Sequence, residues 1–234
     1  MDFMKKYEYW LSSTSIDERD KEELKGLKDN PKEIEDRFFK DLSFGTGGIR
    51  GVRGIGTNRI NKYVIRKATQ GLANYMLKYN EKEAKEKGII IAHDCRIGSR
   101  EYALNTARVM AANGIKAYIY EDLRSTPELS YGVRYKGCLA GIVVTASHNP
   151  VEYNGYTVYW EDGAQDVDPH ATSIVDEVNK IATLEEIKVV SEEEGKKQGL
   201  IIELDGKIDD DYIAEIKKQT VNSDISGKED FKIV

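Results

Sequence analysis

Short runs apolar on both sides alternate with longer segments apolar on one side only, and this alternation restricts the fold more than any other feature of the chain. Residues 88–93 (GIIIAH) are β-branched and compact, which predicts a buried strand. Residues 139–145 (LAGIVVT) are apolar at every position, as a strand covered on both faces requires. Residues 115–120, 155–160 and 200–204 give further strands. Between them fall helical patterns. A long helix is expected over residues 62–87, with Val64, Ile65, Ala68, Leu72, Met76 and Tyr79 on its inner stripe. Ser99 reads as the cap of a helix that Gly114 ends. Residues 127–136, 168–182 and 209–220 read as helices, and residues 191–199 (SEEEGKKQG) as a polar loop. Such alternation predicts an α/β fold: a layered α/β/α domain on a mixed, largely parallel sheet.

The first forty residues differ. Tyr7, Trp10 and Leu11 share one helical face, Ser15 precedes an acidic helical segment, and Pro31 opens another. A helical N-terminal extension is expected over residues 1–40, then the α/β domain over 41–228.

Charge and cysteine content narrow the function. The 234 residues carry 35 Lys+Arg against 41 Asp+Glu, a net −6. That balance gives no global footprint for nucleic acid or an anionic membrane. Residues 138–146, the most apolar stretch, are too few to span a bilayer. The two cysteines, Cys95 and Cys138, are far apart and read as core or near-core thiols of a cytoplasmic protein.

Common signatures are missing. No G-x-G-x-x-G survives, because Arg50 and Arg59 stand where its last glycine belongs, so a nucleotide-binding redox domain lacks its fingerprint. No glycine-rich segment ends in Gly-Lys-Ser/Thr, no serine sits in G-x-S-x-G, and His93, His148 and His170 make no zinc spacing.

Two segments resist a purely structural account. Thr145-Ala146-Ser147-His148-Asn149-Pro150 follows the most apolar strand, where open α/β sheets place ligands. Pro150 restricts Asn149, and Gly155 permits close backbone approach. Ser147 can be a turn residue. It can also carry a phosphoryl group, with about −1.5 to −2 charges and three acceptor oxygens, which suit a hard cation such as Mg2+. The second segment is glycine-rich, residues 44–56, with Arg50, Arg53 and Arg59 in or beside it. It reads either as a flexible loop or as backbone N–H groups and guanidinium charge for a phosphate.

FGTGGIRG (residues 44–51) together with TASHNP (145–150) and EYNGY (152–156) resembles the α-D-phosphohexomutase superfamily. The resemblance runs from about Phe44 to Trp160. GIGTNRIN (54–61), HDCR (93–96) and the helical extension are most similar to its phosphoglucomutase/phosphopentomutase branch. It implies phosphoryl transfer between glucose 1-phosphate and glucose 6-phosphate, through a phosphoserine and a glucose 1,6-bisphosphate intermediate. It implies Ser147 as the phosphorylated serine and, through its phosphate, an Mg2+ ligand. It further implies Arg50 beside the phosphoserine and His148 against the reacting groups. Phosphopentomutase, phosphomannomutase and a non-catalytic phosphosugar-binding module remain alternatives.

Two departures stand out. The family has a lysine after Y-N-G-hydrophobic where this chain has Thr157, which cannot supply an ammonium proton. The family's D-G-D metal loop, sugar loop and C-terminal phosphate loop are missing; Asp205-Gly206-Lys207 reads as a strand-to-helix turn. The chain is therefore expected to be domain I plus a stub of domain II at residues 229–234, inactive alone, with domains II–IV of the same polypeptide as partners.

Overall fold

The computed structural model describes residues 3–45 and 48–222. Thr46, Gly47 and the expected stub at 229–234 lie outside them. Residues up to Leu204 form one compact unit, and the segment from Asp205 forms a second.

Three short helices open the chain: α1 (Phe3–Ser12), α2 (Glu18–Lys25) and α3 (Pro31–Phe38). Asn30 caps α3 by accepting the Glu33 N–H, with Pro31 in the first turn where its missing N–H costs nothing. Tyr7, Trp10, Leu24, Ile34 and Phe38 are buried together with Ile55 and Tyr63. Trp10 meets Phe38 and Tyr63 edge-to-face at 5.6 and 5.5 Å. The extension is thus packed on the rest of its unit.

The glycine-rich segment is not a free loop. It contributes β1 (Gly48–Val52). Then come α4 (Lys62–Lys87), β2 (Ile89–His93), α5 (Ser99–Ala112), β3 (Ala117–Tyr120), α6 (Thr126–Lys136), β4 (Ala140–Val144), β5 (Tyr153–Trp160), α7 (His170–Lys180), α8 (Glu192–Lys197) and β6 (Ile201–Leu204). Asn61 caps α4 on the Tyr63 and Val64 N–H groups. Asn80 interrupts α4 with extended backbone and restarts it by accepting the Glu83 N–H. Residues 191–199, expected as a loop, contain α8. Ser191 caps it, three glutamates occupy its first turn and two lysines its last, all favoured by the helix dipole.

The six described strands run β1-β5-β4-β2-β3-β6. β4, β2, β3 and β6 pair in parallel, while β5 is antiparallel to both β1 and β4. The α/β layered fold with a mixed, mostly parallel sheet is therefore as the sequence pattern implies. Strand residues alternate between two covers. Ile89, Ile91, Ala140, Ile142 and Val144 join a core with Leu72, Met76 and Ala107 from α4 and α5. On the other face Gly141 lies against Val133 and Leu129 of α6, so closely that an added Cβ would fall 2.4 Å from Val133.

The second unit contains α9 (Lys207–Lys218), with Asp209 and Asp210 in its first turn and Lys217 and Lys218 in its last. Asp205-Gly206 stands between β6 and α9, matching the expected strand-to-helix turn.

Candidate active site

β4 is buried at every residue and delivers Thr145 to the carboxyl edge of the sheet. α5 connects β2 to β3 on one side of β2, while α6 leads from β3 back to β4 on the other. Chain direction across the sheet therefore switches between β2 and β4, and this switch leaves a crevice at their carboxyl ends. The Asp94 N–H donates to the Val144 carbonyl at 3.1 Å, tying the two strand ends together.

The loop after β4 turns sharply. Ser147 N–H donates to Thr145 Oγ1 at 2.9 Å, and Asn149 N–H donates to the Ala146 carbonyl at 3.0 Å. Ser147 has φ +53°, the only non-glycine residue with positive φ among the described residues. Left-handed backbone costs an L-residue about 1–2 kcal/mol, so something must hold it. The result is an exposed Ser147 hydroxyl.

Arg96 holds it. Its guanidinium donates to four loop carbonyls: Pro150 at 2.8 Å, Tyr153 at 3.2 Å, Ser147 at 2.8 Å and Asn149 at 2.7 Å. Its Nε lies 3.2 Å from Asp94 Oδ2. Asp94 Oδ1 in turn accepts from Ser99 Oγ at 2.6 Å and from the Arg96 N–H at 3.0 Å. Buried Asn154 donates to Ser99 Oγ at 2.9 Å. Ser99, expected as a helix cap, yields that place to Gly98 and instead supports Asp94.

Arg50, on β1, donates to Asn149 Oδ1 at 3.0 Å. The β1–β5 register opposes Arg50 to Gly155. A Cβ at Gly155 would lie 2.6 Å from the Thr145 carbonyl oxygen and 2.8 Å from that of Ile49, so only glycine lets β5 pass this close to the loop. His148 Nδ1 is 3.3 Å from Ser147 Oγ. Thr157, where the resemblance leads one to expect a lysine, sits on β5 opposite Gly48.

The three site residues singled out in the sequence, Arg50, Ser147 and His148, are thus gathered at one loop. Sequence reasoning missed Arg96, Asp94, Ser99 and Asn154. The available signal was an Asp and an Arg in HDCR at the end of an apolar strand. The thiols also need one correction. Cys138 is buried and its thiol is pushed up to about 12 by that burial, whereas Cys95 is exposed because it lies past the end of β2. Cys95 lines an open cleft of about 690 Å³ with Asp94, Arg96, Arg100 and Leu123.

Chemically, an exposed hydroxyl beside an imidazole and near a guanidinium can carry a phosphoryl group and tolerate its charge. A metal shell is another matter. Among the described residues no group of three or more His, Cys, Asp or Glu is placed to hold one. No helix among them is long and apolar enough to cross a membrane.

Comparison with known proteins agrees with this architecture. Residues 41–185 match the family described as phosphoglucomutase/phosphomannomutase, alpha/beta/alpha domain I. A phosphoglucomutase of Staphylococcus haemolyticus is 37% identical over 182 residues, covering 78% of this chain and 32% of that protein. One from Staphylococcus epidermidis is 33% identical over 212 residues, covering 88% and 37%. The chain thus spans about a third of the length of the curated relatives it matches. A solved structure from Thermus thermophilus shares the fold with TM-score 0.62 at 22% identity, covering 77% of this chain and 36% of the other. A phosphoglucomutase/phosphomannomutase family protein from Burkholderia thailandensis gives 0.54 at 20%, covering 74% and 34%. With its sheet, its strand-end loop and a match over more than half its length, the chain belongs to the phosphoglucomutase/phosphomannomutase family as its α/β/α domain I.

Proposed function

We propose that this chain is the phosphoserine-bearing domain of a phosphoglucomutase-type phosphotransferase acting on glucose 1-phosphate and glucose 6-phosphate. The observation that carries the reading is Ser147: left-handed backbone, exposed hydroxyl, and a loop clamped by Arg96 at the carboxyl end of β4. Strained backbone persists where surrounding structure over-determines it, and such places concentrate at functional sites.

In the proposed reaction phosphorylated Ser147 gives its phosphoryl group to the free hydroxyl of a bound hexose monophosphate. A P–O bond to the sugar forms, the P–Oγ bond breaks, the sugar hydroxyl loses its proton and Ser147 Oγ regains one. The product is glucose 1,6-bisphosphate, which returns its other phosphate to Ser147 after the sugar reorients. His148, at 3.3 Å from Oγ, is in reach to exchange the Ser147 proton. Arg50, which reaches the loop through Asn149, supplies positive charge to the phosphoryl oxygens. A phosphoserine also offers oxygens to Mg2+, with the rest of the metal's ligands coming from outside the described residues. On this reading the 234-residue chain is phosphorylated but does not turn over unaided, and its partners are domains II–IV.

Incubation with glucose 1,6-bisphosphate followed by mass spectrometry tests the assignment. One phosphate mapped to Ser147, and lost in Ser147→Ala, is expected; a phosphate retained in that variant overturns it. Assay of the same chain with glucose 1-phosphate, Mg2+ and the bisphosphate tests the second claim. Sustained glucose 6-phosphate production rejects it. Thr157 favours a second reading, a domain that binds phosphosugars without catalysis, which predicts saturable glucose 1-phosphate binding and no phosphorylation.

A further inference from the structure

The cleft of about 690 Å³ that Cys95 lines opens past the carboxyl ends of β2 and β3. Arg100, Glu101 and Leu104 of α5 form one wall, and Asp122 and Leu123 follow β3. His93, the last residue of β2, lines it too. His93 is 5% exposed and shares the strand face of Ile89 and Ile91, the face that packs on α5. Its side chain is therefore turned to the α5 wall. His93 Nδ1 lies 2.9 Å from the Asp94 carbonyl, which can only accept, so Nδ1 is the donor. Nε2 is buried and has no partner among the described residues. In the neutral ring it is an acceptor lacking a donor, and buried acceptors in folded proteins are ordinarily satisfied.

The charged groups around it differ in how far they are committed. The Arg96 guanidinium is taken up by the loop carbonyls and Asp94. Arg100 donates from Nη1 to the Tyr120 carbonyl at 2.8 Å and lies 4.0 Å from Glu203, with its side chain 44% exposed. Donors on that guanidinium remain open to the cleft. Glu101 and Asp122 are exposed and enter no ion pair among the described residues. Cys95 is exposed and free. One cleft thus gathers a thiol, a cation, two carboxylates and an orphaned acceptor. These complement the sulfur, carboxylate, ammonium and N–H groups of an amino-acid-type thiol. The volume falls within the ~300–1,000 Å³ of small-molecule sites.

We propose that this cleft recognises a low-molecular-weight disulfide bearing amino and carboxylate groups, of the cystine or glutathione disulfide class, and that Cys95 is thiolated there. Cys95 Sγ, as thiolate, attacks one sulfur of the disulfide. A new S–S bond forms to Cys95 and the original S–S bond breaks. The second thiol leaves with the electron pair and takes up the proton that Cys95 lost. The incoming disulfide is the oxidant, and excess thiol reverses the step. Cys95 joins Asp94 to Arg96, so the adduct stands on the clamp that holds the Ser147 loop and should loosen it. The site does not depend on the reaction proposed for Ser147.

The test incubates the chain with glutathione disulfide, with cystine and with uncharged hydroxyethyl disulfide, and follows thiol uptake by mass spectrometry. The same chain unfolded in urea gives the reference rates. Relative to that reference, the folded chain should prefer a charged disulfide over the uncharged one by about tenfold, the size of one charged hydrogen bond. The faster of cystine and glutathione disulfide assigns the ligand. Cys138, 1% exposed and with its thiol pushed up to about 12 by burial, should stay free. Arg100→Gln should lower the preference by about threefold or more, and Cys95→Ser should abolish uptake. Amide exchange at Asn149 should rise on thiolation and return on reduction. No preference beyond the unfolded reference, or uptake that survives in Cys95→Ser, overturns the proposal. Unchanged exchange at Asn149 in the fully thiolated chain overturns the link to the loop. The first comparison needs no variant to fold.

Discussion

Arg96→Gln is the most informative perturbation of the loop that presents Ser147. The guanidinium reaches four carbonyls at 2.7–3.2 Å from one planar group. Glutamine offers one amide and cannot span them. The bonds to Ser147 and Pro150 are exposed, so water replaces them at little net loss. Those to Asn149 and Tyr153 are partly buried. Leaving two such acceptors unpaired costs about 2–4 kcal/mol, taking 1–3 for each and allowing partial rehydration. The left-handed strain at Ser147, about 1–2 kcal/mol, is then free to relax. At about 1.4 kcal/mol per tenfold, the loop's opening constant rises roughly 30- to 1,000-fold. Amide hydrogen exchange at Asn149, whose N–H bonds to Ala146, reads this directly, with Ile91 in β2 as the unchanged internal control. Urea denaturation separates the local effect from global destabilisation. Protection at Asn149 within about threefold of the unmutated protein, with Ile91 unchanged, would refute the clamp.

Two further outcomes are expected. Asp166 is 1% exposed, and burial together with the charge of Asp168 pushes its carboxyl up to about 6, against a weaker pull from the Val167 backbone. Below about pH 4 the carboxyl is protonated whether the chain is folded or not, so Asp166→Asn is nearly silent there. As pH rises from 4 to 6 the unfolded chain ionises first and folding is penalised. Above 6 the penalty is complete, so Asp166→Asn stabilises by up to about 3 kcal/mol at pH 8, read by urea denaturation across pH; a pH-independent difference would sink this. Gly155→Ala forces a methyl against two backbone carbonyls at 2.6 and 2.8 Å. It should destabilise by more than about 2 kcal/mol and lower the yield of folded protein, and a melting temperature equal to the unmutated protein's would contradict the close approach.

Much of this was legible from local sequence. Both-face apolar strands separated by amphipathic helices specify a covered sheet, because only crossover helices hide both sides of such strands. TASHNP at the end of the most apolar run likewise located Ser147 at the sheet's carboxyl edge. Locally ambiguous segments were harder. The glycine-rich run lacks side chains to declare a strand, and β1 exists because β5 supplies its hydrogen-bond partners. Residues 191–199 are polar throughout, and their helix follows from the Ser191 cap and charge placement rather than from apolar periodicity.

The sequence by itself determined the layered α/β class, the strand-end position of Ser147 and the kind of chemistry its hydroxyl can host, since periodicity and residue type are properties of the chain alone. Only the tertiary structure decided how that hydroxyl is presented. The left-handed turn is held by Arg96, which comes from 51 residues away, and Arg50 reaches Asn149 across 99. No local pattern records such contacts, because they form only when β4 is flanked by β2 on one side and β5, with β1 beyond it, on the other.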